Sequence, residues 1–366
     1  MKLIHCADLH LDAKMSANLD KESAKIRRGE ILHTFERMVE YAAENVVEAI
    51  LIAGDMFDTK NISATARNTV LHMITSHPQI RFYYLKGNHD NDNFLSGLEE
   101  LPVNLKLFGT QWTTYEEAEG KVIISGLELS AENVGAAHVS LVPDARKFNI
   151  VMLHGQEAAS ESKDKAEIIP IKDFRNKGID YMALGHIHAY KKETLDARGI
   201  YCYPGCLEGR GFDECGEHGF VVLDVDVENG KFTHTFVPFA WRKLYTVEVD
   251  VTGCNATAQM VDKATKALQE AGCETNSLIK FVLTGMVDVE CEKDLAYFLA
   301  GFRTRYFFVK AYDETKLKID VEDYLLDMSL KGEFVRQVMG DATIPEEDKK
   351  IIIRYGLQAI AGEEVQ

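Results

Sequence analysis

Aspartate, histidine and asparagine recur in five short segments of the chain: Asp8-x-His10, Gly54-Asp55-x-x-Asp58, Gly87-Asn88-His89-Asp90, His154 and Gly185-His186-x-His188. Carboxylate, imidazole and amide donors, with no thiolate at these positions, suit Mn, Fe, Zn or Co better than a cysteine-rich structural zinc or an all-oxygen calcium site. The chemistry such a set serves is hydrolysis of a phosphate ester. That reaction needs an attacking hydroxide, charge stabilisation on the phosphoryl oxygens and help for the leaving oxygen. Two divalent cations a few ångströms apart supply the first two needs, provided a carboxylate bridges them and each keeps further N or O ligands.

For residues so far apart in sequence to meet, each must sit at the end of a strand whose partners converge on the same place. Each segment follows a buried-strand pattern, such as Leu3-Ile4 before Asp8, Ala49 to Ile52 before Asp55 and Ile150 to Leu153 before His154. Alternate residues of an extended strand share a face, so Asp8 with His10, and His186 with His188, project as pairs. Glycines before Asp55, Asn88 and His186 permit close backbone approach. Up to about Ala240, strand-like runs (Lys2 to Cys6, Ile50 to Ile52, Arg81 to Leu85) alternate with helical ones (Ala24 to Glu44, Ser63 to Ser76). Short strands follow at Val122 to Gly126, Ile150 to Leu153, Tyr181 to Leu184, Ile200 to Tyr203, Gly219 to Val225 and Lys231 to Val237. The expected fold class is α/β, a sandwich with outer helices over residues 1–240.

After Phe239 to Arg242 the pattern restarts. A strand Leu244 to Val251, a helix Ala256 to Ala271, a strand Leu278 to Val287, a helix Glu292 to Phe302 and a strand Phe307 to Tyr312 predict a smaller βαβαβ capping domain over 241–322. Residues 323–366 read as a helical tail, its second helix opening on Pro345-Glu346-Glu347-Asp348 and carrying the apolar stripe Ile353, Leu357, Ile360. That stripe can pack on the second domain or dock a partner helix.

The chain has 366 residues and a net charge of −17, which argues against avid sequence-blind nucleic-acid binding, although it leaves room for a local patch. No run is long and apolar enough to cross a bilayer and the N-terminus enters a strand directly, so a cytoplasmic protein without membrane contact is expected. The seven cysteines are scattered and odd in number, fitting a reducing compartment. Cys202, Cys206, Cys215 and His218 lack the C-x-x-C pairs of a zinc site and read as free thiols beside a histidine.

The segments Ile4 to Leu11, Ala53 to Thr59, Lys86 to Asp90 and Leu184 to His188 resemble the calcineurin-like metallophosphoesterase superfamily. The stretch Tyr203 to Glu208, followed by Gly211-Phe212-Asp213-Glu214 and Gly219, is similar to bacterial SbcD-type DNA repair nucleases, especially the YhaO-like branch. The resemblance covers residues 1 to about 240 well and the tail hardly at all. It implies an α/β/β/α metallophosphoesterase sandwich in which Asp8, His10, Asp55 and His188 hold one metal. Asp55 bridges to a second metal held by Asn88, His154 and His186. His89 would stand beside the scissile phosphate with Asp58 fixing its ring. It further implies two divalent metals, Mn2+ in this reading, that activate a hydroxide for in-line attack on phosphorus in DNA. The implied assembly is a homodimer working with an SMC-like coiled-coil ATPase. This chain departs from the nuclease pattern at Asp58, where related repair proteins can carry His, and at Leu9 and Asp12, where Trp and Gly are common.

His5, His33, His72 and His138 read as structural histidines. Lys21, Lys25 and Arg28 alternate with Glu22 and Glu30, as on a solvated helix face. Lys60 and Arg67, flanking the loop after Asp58, are the candidates for contact with a substrate backbone. Two other functions stand beside the exonuclease: a phosphatase or phosphodiesterase acting on a small nucleotide or phosphoprotein, and a non-catalytic scaffold of the same fold.

Overall fold

The structure is a computed structural model that describes residues 1–15, 19–58, 62–90, 94–157, 168–288, 291–318 and 321–361. The chain divides into two compact units, Met1–Lys243 and Leu244–Gln366. Among the described residues no helix is long and apolar enough to cross a membrane.

Two six-stranded sheets build the first unit. In the first, the strands Lys2–Cys6, Ala49–Ala53, Arg81–Leu85 and Leu105–Leu107 run parallel, and the antiparallel hairpin Gly219–Asp226 and Lys231–Pro238 completes the other side. In the second, Val122–Gly126, Phe148–His154, Tyr181–Gly185 and Ile200–Tyr203 run parallel between the antiparallel edges Thr113–Glu117 and Lys191–Thr194. The central parallel strands are buried along their whole length, which is why they read as continuous apolar runs rather than alternations. Leu3, Leu51 and Tyr83 from one sheet meet Ile124, Ile150, Met152 and Tyr181 from the other in the layer between them.

Helices Lys21–Glu44 and Ala64–Ser76 cover the outer face of the first sheet. The longer one starts where the Asp20 side chain accepts the amides of Glu22 and Ser23, and it buries Ile31, Phe35, Met38, Val39 and Ala42 at helical spacing. The second sheet is covered instead by short pieces, the helix Ala137–Ser140 and the turn Ile171–Phe174.

In the second unit, Leu244–Asp250, Leu278–Thr284 and Phe308–Asp313 form a parallel three-stranded sheet with helices Thr257–Glu270 and Leu295–Ala300 in the crossovers. Val335 and Val338 from the helix Leu330–Gly340, and Ile353 and Leu357 from the helix Glu346–Ala361, join the same apolar cluster as Val247, Phe281 and Phe298. The tail helices therefore belong to the core of the second unit. Ile360 is left partly exposed.

Candidate metal centre

Every strand-end segment singled out in the sequence lies at the same end of the sandwich, where the parallel strands of both sheets stop. Backbone bonds stitch these ends together: Asp8 N to Gly54 O (3.0 Å), His10 N to Asp55 O (2.9 Å) and Gly155 N to Gly185 O (3.1 Å). The His186 amide crosses to the Asp8 carboxylate at 2.9 Å. Gly54, Gly87 and Gly185 make this density possible, because a Cβ on each would collide with the His154 ring, the Asp55 carboxylate and the Ala53 carbonyl respectively. Asp8, His10, Asp55 and His186 all take positive φ, at 51°, 44°, 52° and 101°. Such conformations cost of order 1–3 kcal/mol each in non-glycine residues and gather where the surroundings hold side chains in a required direction.

Asp8, His10 and His188 bring ligand atoms within 4.8 Å of one another, as do Asp8, Asp55 and His154. His10 Nε2 and His188 Nε2 approach to 3.2 Å. His154 Nε2 lies 3.0 Å from Asn88 Oδ1, and the His186 ring stands 5.3 Å from that of His154. Between the two groups sits Asp55, whose Oδ2 is 3.8 Å from His10 Nε2 and 3.5 Å from His154 Nε2, while its Oδ1 accepts the His89 amide at 2.9 Å. That is the placement a shared carboxylate needs.

The imidazoles are also held in the tautomer that a ligand requires. His154 Nδ1 donates to the Ala53 carbonyl at 2.9 Å and His188 Nδ1 donates to Glu214 at 2.7 Å, so each turns Nε2 inward, where a cation takes it in its neutral form. Asp8, His10 and Asp55 are only 1–2% exposed. Burial pushes the Asp8 carboxyl up, with Asp55 adding to the effect against the opposing pull of His154 and His188. Burial would raise Asp55 too, but His154, His10 and the His89 amide hold it well below the usual carboxylate range. Burial opposes charge on His154, yet Asp55 and Asp8 push it up to about 9; burial and the neighbouring His154 push His186 down to about 4. Two buried carboxylates facing converging imidazole nitrogens and an amide oxygen are a donor set that divalent cations fit.

His89 is exposed on the loop after Arg81–Leu85, with its ring 5.2 Å from that of His10. Asp58, expected to fix that ring, lies nearer His10: its Oδ1 is 3.1 Å from His10 Nδ1 and 3.8 Å from His89 Nδ1. Arg67, expected to touch substrate, instead donates from Nε and Nη2 to the carbonyls of Phe94 and Ser96 at 2.9 and 2.6 Å. Lys60 falls outside the described residues. Leu9 and Asp12 have structural partners, the one buried and the other accepting the Ser63 amide at 2.7 Å.

Three positioning residues carry no assignment from the sequence. Glu214 orients His188. Arg210 joins the carboxylates behind the site, reaching Glu214 at 2.8 Å and Asp58 at 3.1 Å. Asp90 accepts the amides of Met56, Phe57 and Gly87 at 3.2, 3.0 and 2.9 Å, clamping the two metal loops to each other. The Phe212-Asp213-Glu214 stretch is visible as a family likeness, without an indication of what its carboxylate does. Cys206 Sγ and His218 Nδ1 make a hydrogen-bonded pair at 3.2 Å, and Cys202, Cys206 and Cys215 are free cysteines.

Among curated proteins, the chain is 29% identical over 301 residues to the uncharacterized metallophosphoesterase YhaO of Bacillus subtilis, covering 78% of this chain and 72% of that protein. It is 25% identical to the DNA double-strand break repair protein Mre11 of Methanopyrus kandleri, covering 68% of this chain and 59% of that one, and 24% identical to Mre11 of Aeropyrum pernix, covering 68% and 64%. The chain thus spans about three-fifths of the length of these archaeal relatives. Among solved structures, TT1561 of Thermus thermophilus aligns over 64% of this chain and 98% of its own with a TM-score of 0.41 and 13% identity. The calcineurin-like phosphoesterase profile matches residues 1–190, the span that carries all five segments. The chain belongs to that family, whose fold implies two divalent metals, and is a dinuclear metal-dependent phosphoester hydrolase.

Proposed function

We propose that this protein is an exonuclease of the SbcD and YhaO type that hydrolyses phosphodiesters in DNA. The observation that carries the reading is the position of Asp55 between the His10 and His154 groups, with exposed His89 standing at the edge of that pair. The archaeal relatives named as DNA double-strand break repair proteins support DNA as the substrate.

The family resemblance gives Asp8, His10, Asp55 and His188 to one ion and Asp55, Asn88, His154 and His186 to the other, with Mn2+ as the expected metal, and the clustering of Asp8 with His10 and His188, and of Asp55 with His154, supports it. Two cations held there would activate water for in-line attack on phosphorus and neutralise the phosphoryl oxygens. The protein's own part is positional. Ala53 O and Glu214 fix the imidazole tautomers, Asp90 locks the two loops, and His89 would protonate the departing oxygen. In this reading the second unit selects the DNA end, and the active form is a homodimer with an SMC-like coiled-coil ATPase supplying the basic surface that a chain of net charge −17 lacks.

The same charge favours a second reading, a phosphodiesterase for small nucleotides. Digestion of 3′- and 5′-labelled duplex and single-stranded DNA with Mn2+ decides between them. The exonuclease reading expects wild-type digestion and a loss of about 10²-fold or more in folded His89→Ala. Hydrolysis of a chromogenic phosphodiester with none of DNA would give the second reading.

A further inference from the structure

Next to the loop that follows Arg81–Leu85 lies a half-enclosed pocket of about 360 Å³ that the hydrolytic chemistry does not use. Its volume is at the lower end of the range for small-ligand clefts. Tyr84, Phe94, Leu95, Leu107 and Phe108 form its walls, and Lys86 and Glu128, paired at 3.3 Å, supply its charged groups. The pocket is continuous with the metal loops. Tyr84 and Lys86 lead directly into Gly87–Asp90, so Lys86 lies within about 7 Å of Asn88 along the backbone. Phe94 packs edge-on against Tyr84 at 6.0 Å and, tilted, against Phe57, the neighbour of Asp58, at 5.2 Å. The Phe94–Ser96 wall is fastened by Arg67 through its two carbonyl contacts, which accounts for that arginine.

Apolar walls with one cation and one carboxylate match the needs of a nucleobase. Its faces pack against the walls, its ring nitrogens and carbonyls accept from an ammonium, and its exocyclic amino group donates to a carboxylate. An enzyme that removes terminal nucleotides must unpair the end, and an unpaired base needs somewhere to go. Resting on the exonuclease reading above, we propose that this pocket receives the unpaired base of the nucleotide at the scissile phosphate.

Two measurements test it. The first compares cleavage of an oligonucleotide bearing a normal terminal nucleotide with one that is abasic there. A packed, hydrogen-bonded base should give wild type about a tenfold advantage in kcat/KM for the base-bearing end, and Leu95→Trp, which fills the pocket, should bring the ratio close to one. The second measures 2-aminopurine nucleoside monophosphate fluorescence with metal-free protein in EDTA: quenching by wild type, lost in Leu95→Trp and weakened in Lys86→Ala, with folding checked by thermal melting. If Leu95→Trp does not fold, Lys86→Ala carries both tests. Equal cleavage of both ends by wild type, or quenching as strong in the folded variants as in wild type, overturns the pocket. Quenching that behaves as expected in a protein that leaves DNA intact keeps the pocket and removes the exonuclease reading.

Discussion

The two ends of the sandwich in the first unit invite opposite conclusions from size and charge alone. At the end where the parallel strands begin lies a cavity of about 870 Å³, lined by Lys121, Arg146, Lys147 and Arg198. Each of these cations has its own carboxylate: Glu228 at 2.6 Å, Asp144 at 2.8 Å, Glu116 at 3.2 Å and Asp180 at 2.8 Å. Charge there is matched and largely solvated, so nothing in the arrangement calls for a ligand. At the end where the strands stop, the groups are buried. Like-charged side chains crowd one another and imidazole nitrogens face each other. Function is marked by buried, crowded ligand groups, not by a solvated cavity of paired charges.

The widest expected gap between the two ends comes from Asp55→Asn. The substitution keeps the size of the side chain and removes the charge shared by both ligand groups. Hydrolysis should fall at least about 10³-fold, and metal content measured by mass spectrometry should drop with it, because the loss acts on both ions. A variant that keeps two ions and wild-type turnover would place the shared carboxylate elsewhere.

Much of this end is legible in the sequence because the chemistry demands particular residue types directly after strands, and fully buried parallel strands read as unbroken apolar runs. Asp8, Asp55, Asn88, His154 and His186 all follow or end such runs. What stays hidden depends on contacts across the chain. Glu214 lies 26 positions from His188 in a segment with no periodic pattern, so its partner appears only in three dimensions. The family resemblance gives Asp58 to His89, yet the turn of the loop carries it closer to His10. The edge strands Thr113–Glu117 and Lys191–Thr194 escape for another reason: they are polar and half-exposed, and one face of an edge strand gives little hydrophobic signal.

A smaller effect separates ligands from the residues that aim them. Glu214→Gln removes the carboxylate behind His188 while leaving every inward-facing donor in place. Metal affinity should weaken about 10- to 100-fold by calorimetry, with turnover recovering at saturating metal. Failure to recover would move Glu214 from an orienting role into the reaction itself.

Acidity gives a finer test of the same contrast. In the metal-free protein Asp55 and Asp8 push His154 up to about 9, so this imidazole is protonated at neutral pH, whereas a cation takes the neutral nitrogen. Binding should therefore release about one proton from His154 at about pH 7.5, and apparent affinity should rise by up to about tenfold per pH unit until about pH 9. Titrations in two buffers of different ionisation enthalpy measure the released proton. For folding without metal the sign reverses: the raised pKa of His154 stabilises fully below its ordinary value of 6.5, and that contribution disappears as pH rises through about 9. His154→Gln should abolish both effects, and proton release that persists in it would assign the titration to another group.

The smallest effect on activity belongs to the opposite end. Arg198 pairs with Asp180, itself 5% exposed, and also donates to the carbonyls of Ala145 and Lys147 at 2.6 Å each. Arg198→Ala leaves that carboxylate with the Asn149 amide at 2.8 Å but without its cation. The loss should lower stability by roughly 1–3 kcal/mol, the range for stranding a buried hydrogen-bonding group. Because the cavity lies at the far ends of the strands, kcat, KM and metal affinity should stay within about twofold of wild type. A large change in any of them would mean that the two ends are coupled through the strands that join them, for Asp180 immediately precedes the strand Tyr181–Gly185, which leads into His186.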